Sequence, residues 1–169
     1  MSTRDAIFEI VRKAYQIESN GHTFYSMTAQ RADKPAVREL FEKLADDEVQ
    51  HQAFLRDVAK SYDQKGAAAF AMNFRIPEMQ KILEMVFTKR FREQAAGAEF
   101  EMSVLSIGMT LENNAIAYFS QAATDAAEKE IKGFYQFLAD WEKQHFEALQ
   151  NLYNSVRQDF WQGGSFSPF

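Results

Sequence analysis

The chain contains no cysteine. That excludes disulfides, thiolate-held metals and a redox thiol, and with them any iron centre held by cysteine sulfur of its own residues. Proline and glycine are scarce, at three and seven in 169 residues. So little punctuation favours long helices over many short strands. Basic charge is in deficit: a net charge of -5 leaves no basic stripe, which argues against nucleic acid as a partner. The uncharged runs are far too short to span a membrane. Residues 1–5 lead into a charged amphipathic segment, without the apolar stretch of a secretory signal. A cytoplasmic location is therefore the default expectation.

What remains is ordinary in amount and unusual in kind. Hydrophobic residues make up 46% and charged residues 25%, as in a soluble domain large enough to bury a core. Sixteen Phe, six Tyr and two Trp make the apolar part aromatic.

Against this background one pattern occurs twice. Glu18, Glu48 and His51 recur 94 positions later as Glu112, Glu142 and His145. Each half carries a lone Glu and then, 30 residues on, a Glu-x-x-His. Aligned at this offset, residues 17–55 and 111–149 share twelve identities in 39 pairs, among them Asn20/Asn114, Leu44/Leu138, Asp46/Asp140 and Gln50/Gln144. That is an internal duplication, and it predicts a pseudo-twofold axis through the six residues.

Four segments carry apolar residues at helical spacing. They run along Ile7–Val11–Ala14–Glu18–Gly21–Tyr25, Val37–Phe41–Leu44–Glu48–His51–Leu55, Leu105–Gly108–Glu112–Ala115–Phe119, and Ile131–Tyr135–Leu138–Glu142–His145–Leu149. All six repeated residues sit on the stripe that should face the core, where a polar group needs a reason. Asp33 ahead of Pro35 is the predicted N-cap of the second helix. Asp125 with Glu128 has capping-box spacing for the fourth. Each turn lies about 15 residues from the Glu on either side, so antiparallel helices bring Glu18 level with Glu48 and Glu112 level with Glu142. The expected fold is all-α: a four-helix bundle of two hairpins with a long crossover connection, needed if the second and third helices run parallel. Residues 77–94 are predicted to form a crossover helix. Residues 1–162 form the expected bundle and 163–169 a flexible tail. Phe70, Phe74, Phe87 and Phe91 suggest a homodimer surface, with crossover packing as the alternative.

Four carboxylates and two imidazoles are a ligand set for two transition-metal ions. Glu and His at i and i+3 reach one metal from one helix face, and the pattern is that of a carboxylate-bridged pair. Glu48 and Glu142 are cast as bridges, His51 and His145 as nitrogen ligands, and Glu18 and Glu112 as terminal ligands. Buried ion pairing alone would leave charge over, since four carboxylates face only two histidines. Nitrogen and oxygen donors suit two iron ions, with manganese or zinc also accommodated. Three further residues are candidates around the ligands. Asp47 is placed to bond the far nitrogen of His145, or else to be solvated; its twin is Trp141. Tyr25 either lines the site or packs in the core. His22, one turn after Glu18, is a supporting or core residue.

These residues resemble the ferritin-like di-iron superfamily, most closely the rubrerythrin type. The resemblance covers about residues 5–155 and rests on Glu18, Glu48 to His51, Glu112, and Glu142 to His145, with Phe24-Tyr25 and Leu44-Ala45 in similar context. It implies a di-iron oxidoreductase that reduces hydrogen peroxide or oxygen; ferroxidase activity serving iron storage and a non-redox metal-binding bundle are the alternatives. Rubrerythrins usually carry a cysteine-ligated rubredoxin domain. With no cysteine here, the resemblance implies a separate electron-donor protein. Their additional Glu, three residues before the one matching Glu112, is Met109 in this chain, which leaves a symmetric six-ligand set.

Overall fold

The structure is a computed structural model and describes residues 3–66, Ala69 and residues 99–163. Four helices make up the described fold: α1 Thr3–Arg31, α2 Pro35–Lys65, α3 Glu99–Asp125 and α4 Lys129–Gly163. α1 packs against α2 and α3 against α4, as two helical hairpins. This is the all-α four-helix bundle that the periodicity predicts. Among the described residues no helix is long and apolar enough to cross a membrane.

The duplication extends to the turns. α1 ends at Arg31 and α3 at its repeat equivalent, Asp125. The Ala32 N–H donates to the Thr28 carbonyl at 3.0 Å, and the equivalent Ala126 N–H donates to the Ala122 carbonyl at 3.0 Å. The expected caps are corrected here. Lys34, not Asp33, is the N-cap of α2, with extended backbone and no side-chain cap. Pro35 is the cause, because the residue before a proline is pushed out of helical geometry. Asp125 closes α3 and accepts from Gln121 Nε2 at 3.0 Å instead of opening α4. α2 stops at Gly66, whose φ of 60° with ψ of -145° is a conformation open to glycine and outside the usual left-handed helix cap.

Two apolar blocks fill the bundle's ends. One gathers Val37, Leu40 and Phe41 beside the first turn with Leu105, Leu152 and Val156. The other gathers Ile7, Val11 and Tyr62 with Ile131, Phe134 and Tyr135 beside the second turn. The two turns therefore lie at opposite ends, and α2 and α3 run parallel. A connection between them must travel the bundle's length, as expected of a crossover. The predicted crossover helix at 77–94 and Phe70, Phe74, Phe87 and Phe91 lie outside the described residues. So does the predicted tail, apart from Gly163, which ends α4.

Candidate metal centre

Between the two apolar blocks lies a polar layer. Glu18, Glu48, His51, Glu112, Glu142 and His145 are each at most 4% exposed. The structure thus brings together all six residues that the repeat singled out. Three sets of donors lie close enough to share an ion: Glu48–His51–His145, Glu18–His51–Glu142 and Glu112–Glu142–His145.

The geometry separates inner from outer acids. Glu48 turns one oxygen to each histidine: Oε2 is 3.4 Å from His51 Nδ1 and Oε1 is 3.4 Å from His145 Nδ1. Glu142 likewise belongs to one donor set with His51 and to another with His145. Glu18 Oε2 lies 2.8 Å from His51 Nδ1, and Glu112 Oε1 lies 3.7 Å from His145 Nδ1. The two imidazoles stack, with centroids 4.7 Å apart. Glu142 Oε1 and both ring nitrogens of His145 are buried without a hydrogen bond. Orphaned buried polar atoms are costly, and here Glu142 and the His145 ring sit in a layer rich in anionic donors. Such a set fits divalent cations held through oxygen and nitrogen.

Electrostatics give the same picture. Burial pushes Glu18 up to about 8, against the pull of His51. Burial and the facing Glu18, Glu112 and Glu48 push Glu142 well above the ordinary carboxylate range. Burial alone would raise Glu112 too, but His145, Glu142 and Tyr25 outweigh it and hold it below its usual value. His51 is lowered by burial. At His145 burial acts downward, and Glu112 and Glu48 override it to raise the imidazole well above its usual value. Without cations the layer is an overcrowded set of acids that must keep protons to stay buried.

A cavity of about 250 Å³ reaches this layer between α1 and α3. All four glutamates line it and neither histidine does. Repeat pairs, Ile17/Leu111 and Asn20/Asn114, form much of its wall, so it lies on the pseudo-twofold axis. Lys13 and Tyr118 break the symmetry at the wall, the Lys13 ammonium standing 5.9 Å from the Tyr118 ring centre. Away from the cavity, Trp141 packs on His51 with ring centroids 3.8 Å apart, and Phe54 and Phe137 flank the indole.

The rubrerythrin family model matches residues 9–153. The chain belongs to the rubrerythrin family. No curated protein and no solved structure matches it. The family is one of di-iron, ferritin-like bundles, and the donor layer in this member is a candidate metal site of that kind.

The three residues expected around the ligands fall in different places. Tyr25 is fully buried and its hydroxyl donates to Glu112 Oε1; burial, Glu112 and Glu48 raise its pKa well above normal, so it stays a phenol. Asp47 Oδ2 stands 3.8 Å from His145 Nε2, facing the nitrogen turned away from the carboxylates. His22 is not brought to the layer. It lines a surface groove with Ser26, Arg38, Glu42 and Asp46, and its Nε2 meets Ser26 Oγ at 3.3 Å.

One site residue of this rubrerythrin-family chain was missed by sequence reasoning. A methyl group at Gly21 would stand 2.9 Å from Glu48 Oε1 and 3.0 Å from its Cδ. Gly21 gives Glu48 the room to lie across the layer. The available signal was a glycine inside a helix, one turn after a ligand, whose twin is Ala115. Gly21→Ala is expected to leave the metal-free melting temperature unchanged or slightly higher, since alanine gains about 1 kcal/mol of helix propensity. Metal affinity should fall about 10- to 100-fold, as when a ligand's support is disturbed. Chelator competition measures this, and parental affinity would show that Glu48 shifts without consequence.

Proposed function

We propose that this chain is a di-iron oxidoreductase that reduces hydrogen peroxide or oxygen with electrons from a separate donor protein. The observation that carries the reading is the placement of Glu48, with one oxygen toward each histidine, as a bridging carboxylate requires. Glu142 would serve both positions as well, with Glu18 and His51 holding one ion and Glu112 and His145 the other. Four carboxylates would offset two divalent ions. Bound iron would supply the redox chemistry, namely the two electrons that reduction of peroxide to two waters requires together with two protons.

The protein's own part is positioning and access. The cavity between α1 and α3 is wide enough for a small oxidant and opens onto the carboxylates. The Trp141, Phe54 and Phe137 packing closes the layer behind His51. Tyr25 holds Glu112 in place and keeps its own proton.

Ferroxidase activity serving iron storage would use the same layer. What favours keeping this second reading is Met109: it packs against the apolar core, at the position where the rubrerythrin pattern supplies its additional Glu. The test is anaerobic loading with ferrous iron, elemental analysis, and rapid mixing with peroxide or oxygen. The expected result is about two irons per chain, both oxidised by one equivalent of peroxide, with repeated turnover once a reductant is added. Many irons per chain in a large shell would favour storage. No iron, or zinc alone, would sink the oxidoreductase reading.

A further inference from the structure

The duplicated ligands are equal in kind, but their surroundings are not. Tyr25 donates a hydrogen bond to Glu112; its repeat equivalent, Phe119, has no donor to offer. Asp47 turns Oδ2 toward His145 Nε2 at 3.8 Å, while Gln50 Nε2 donates to its Oδ1 at 3.3 Å. Its equivalent, Trp141, packs its ring on His51, and an indole has no acceptor for an imidazole N–H. Both polar supports therefore serve the Glu112–His145 pair. The hydrogen bonding differs in the same sense. His51 Nδ1 is engaged by Glu18 at 2.8 Å, an interaction that an ion between them must break. Neither ring nitrogen of His145 has a hydrogen bond to lose.

We propose that the two metal positions are unequal: the one served by Glu112 and His145 takes the first divalent ion, and the one served by Glu18 and His51 fills second. The inference rests on the metal-binding reading above and goes beyond it by giving the positions an order. A carboxylate behind the far nitrogen of a ligating imidazole fixes the ring and strengthens the near nitrogen as a donor. Asp47 sets its carboxylate 3.8 Å from that nitrogen of His145, short of a hydrogen bond and within reach of one when the ring is ligated. Trp141 fixes His51 by packing and adds no charge. Tyr25 holds Glu112 in one orientation, so less freedom is lost when an ion binds. Glu48 and Glu142 face both positions and cannot discriminate between them. Asp47 and Tyr25 are thus positioning residues for the first ion.

The test is titration of the metal-free full chain with Co(II), read by visible absorption, and with Zn(II), read by calorimetry. The expected result is two resolved steps of one ion each, the first at least about tenfold tighter, within the range that outer partners of a ligand control. In Asp47→Asn and in Tyr25→Phe the first step should weaken by about 10- to 100-fold while the second stays put, so that the steps converge. Parental melting curves for the metal-free variants would show that the fold is kept, and the two-step titration of the unaltered chain stands without them. Two ions binding with one affinity, or variants that weaken both steps equally, would overturn the inequality and leave the metal centre standing. Binding of no ion would overturn both.

Discussion

Replacing Glu142 with glutamine is expected to stabilise the metal-free protein at neutral pH and to abolish tight binding of a metal pair. Glu142 is buried, its Oε1 lacks a hydrogen bond, and three other carboxylates raise its pKa beyond the effect of burial. Burial and the facing carboxylates hold this group toward its protonated form in the folded chain, whereas the unfolded chain ionises it at neutral pH. Ionisation of an ordinary carboxyl stabilises the unfolded state by about 1.4 kcal/mol for each pH unit above its pKa, for as long as the folded state keeps the proton. Glutamine has nearly the same shape and removes that term; imperfect pairing of its amide takes some back. A net gain of about 2 kcal/mol corresponds to a rise in melting temperature of about 5 °C for a chain of this size. The gain must vanish near pH 4.5, where the unfolded chain no longer ionises the group. Metal binding moves the other way, because one anionic ligand facing both positions is gone. Affinity should fall further than the roughly 10- to 100-fold cost of losing an outer partner. Calorimetric melting at pH 4.5 and 7.5, with metal titration alongside, checks both halves. A variant that melts lower at both pH values, or that still binds two ions tightly, would contradict the account. Stability exchanged for function in one residue is the pattern of a site kept for its ligand.

The six donors were legible because they break a rule twice in register. Each is a polar residue on an apolar stripe, and the 94-residue repeat separates that from chance. The hairpin pairing followed from the same numbers, since helix rise fixes which glutamates are level. Contacts between the hairpins were less legible. Trp141 lies against His51 through the register between α2 and α4, which an internal repeat does not fix. Gly21 acts by leaving space, and a missing side chain gives little signal in composition. Asp33 looked like a cap by propensity, but the constraint that Pro35 places on Lys34 prevailed. His22 shares a helix with Glu18 and lies one turn on, yet it faces the groove beside Ser26 instead of the layer. Spacing along one helix is not enough to place a residue in a site assembled from four.

Stability should fall as pH rises in the metal-free protein, and metal should remove that fall. In the metal-free chain Glu18 has a folded pKa of about 8 against an ordinary 4.5. Between those values the folded state keeps a proton that the unfolded state has released, so stability falls as pH rises. Glu142, raised for the same reason, acts with the same sign. His145 is also raised; its contribution is full below its ordinary 6.5 and is lost as pH climbs through the folded value. His51, lowered by burial, acts oppositely, but only below 6.5. Glu112 is held below 4.5, so its contribution is lost only in acid. Above pH 6.5 the declining groups act alone. One retained proton costs about 1.4 kcal/mol per pH unit. Counting one such proton alone, the metal-free protein should lose about 2 kcal/mol and about 5 °C in melting temperature between pH 6.5 and 8, and more as the other raised groups add to it. Metal ions replace those protons, so loading releases them and binding tightens as pH rises. At a fixed excess of metal, the gain in melting temperature on loading should therefore be larger at pH 8 than at pH 6.5. Melting curves with chelator and with two equivalents of divalent metal provide the comparison. Parallel pH profiles would mean that the buried carboxylates do not exchange protons for metal, and the centre would lose its electrostatic basis.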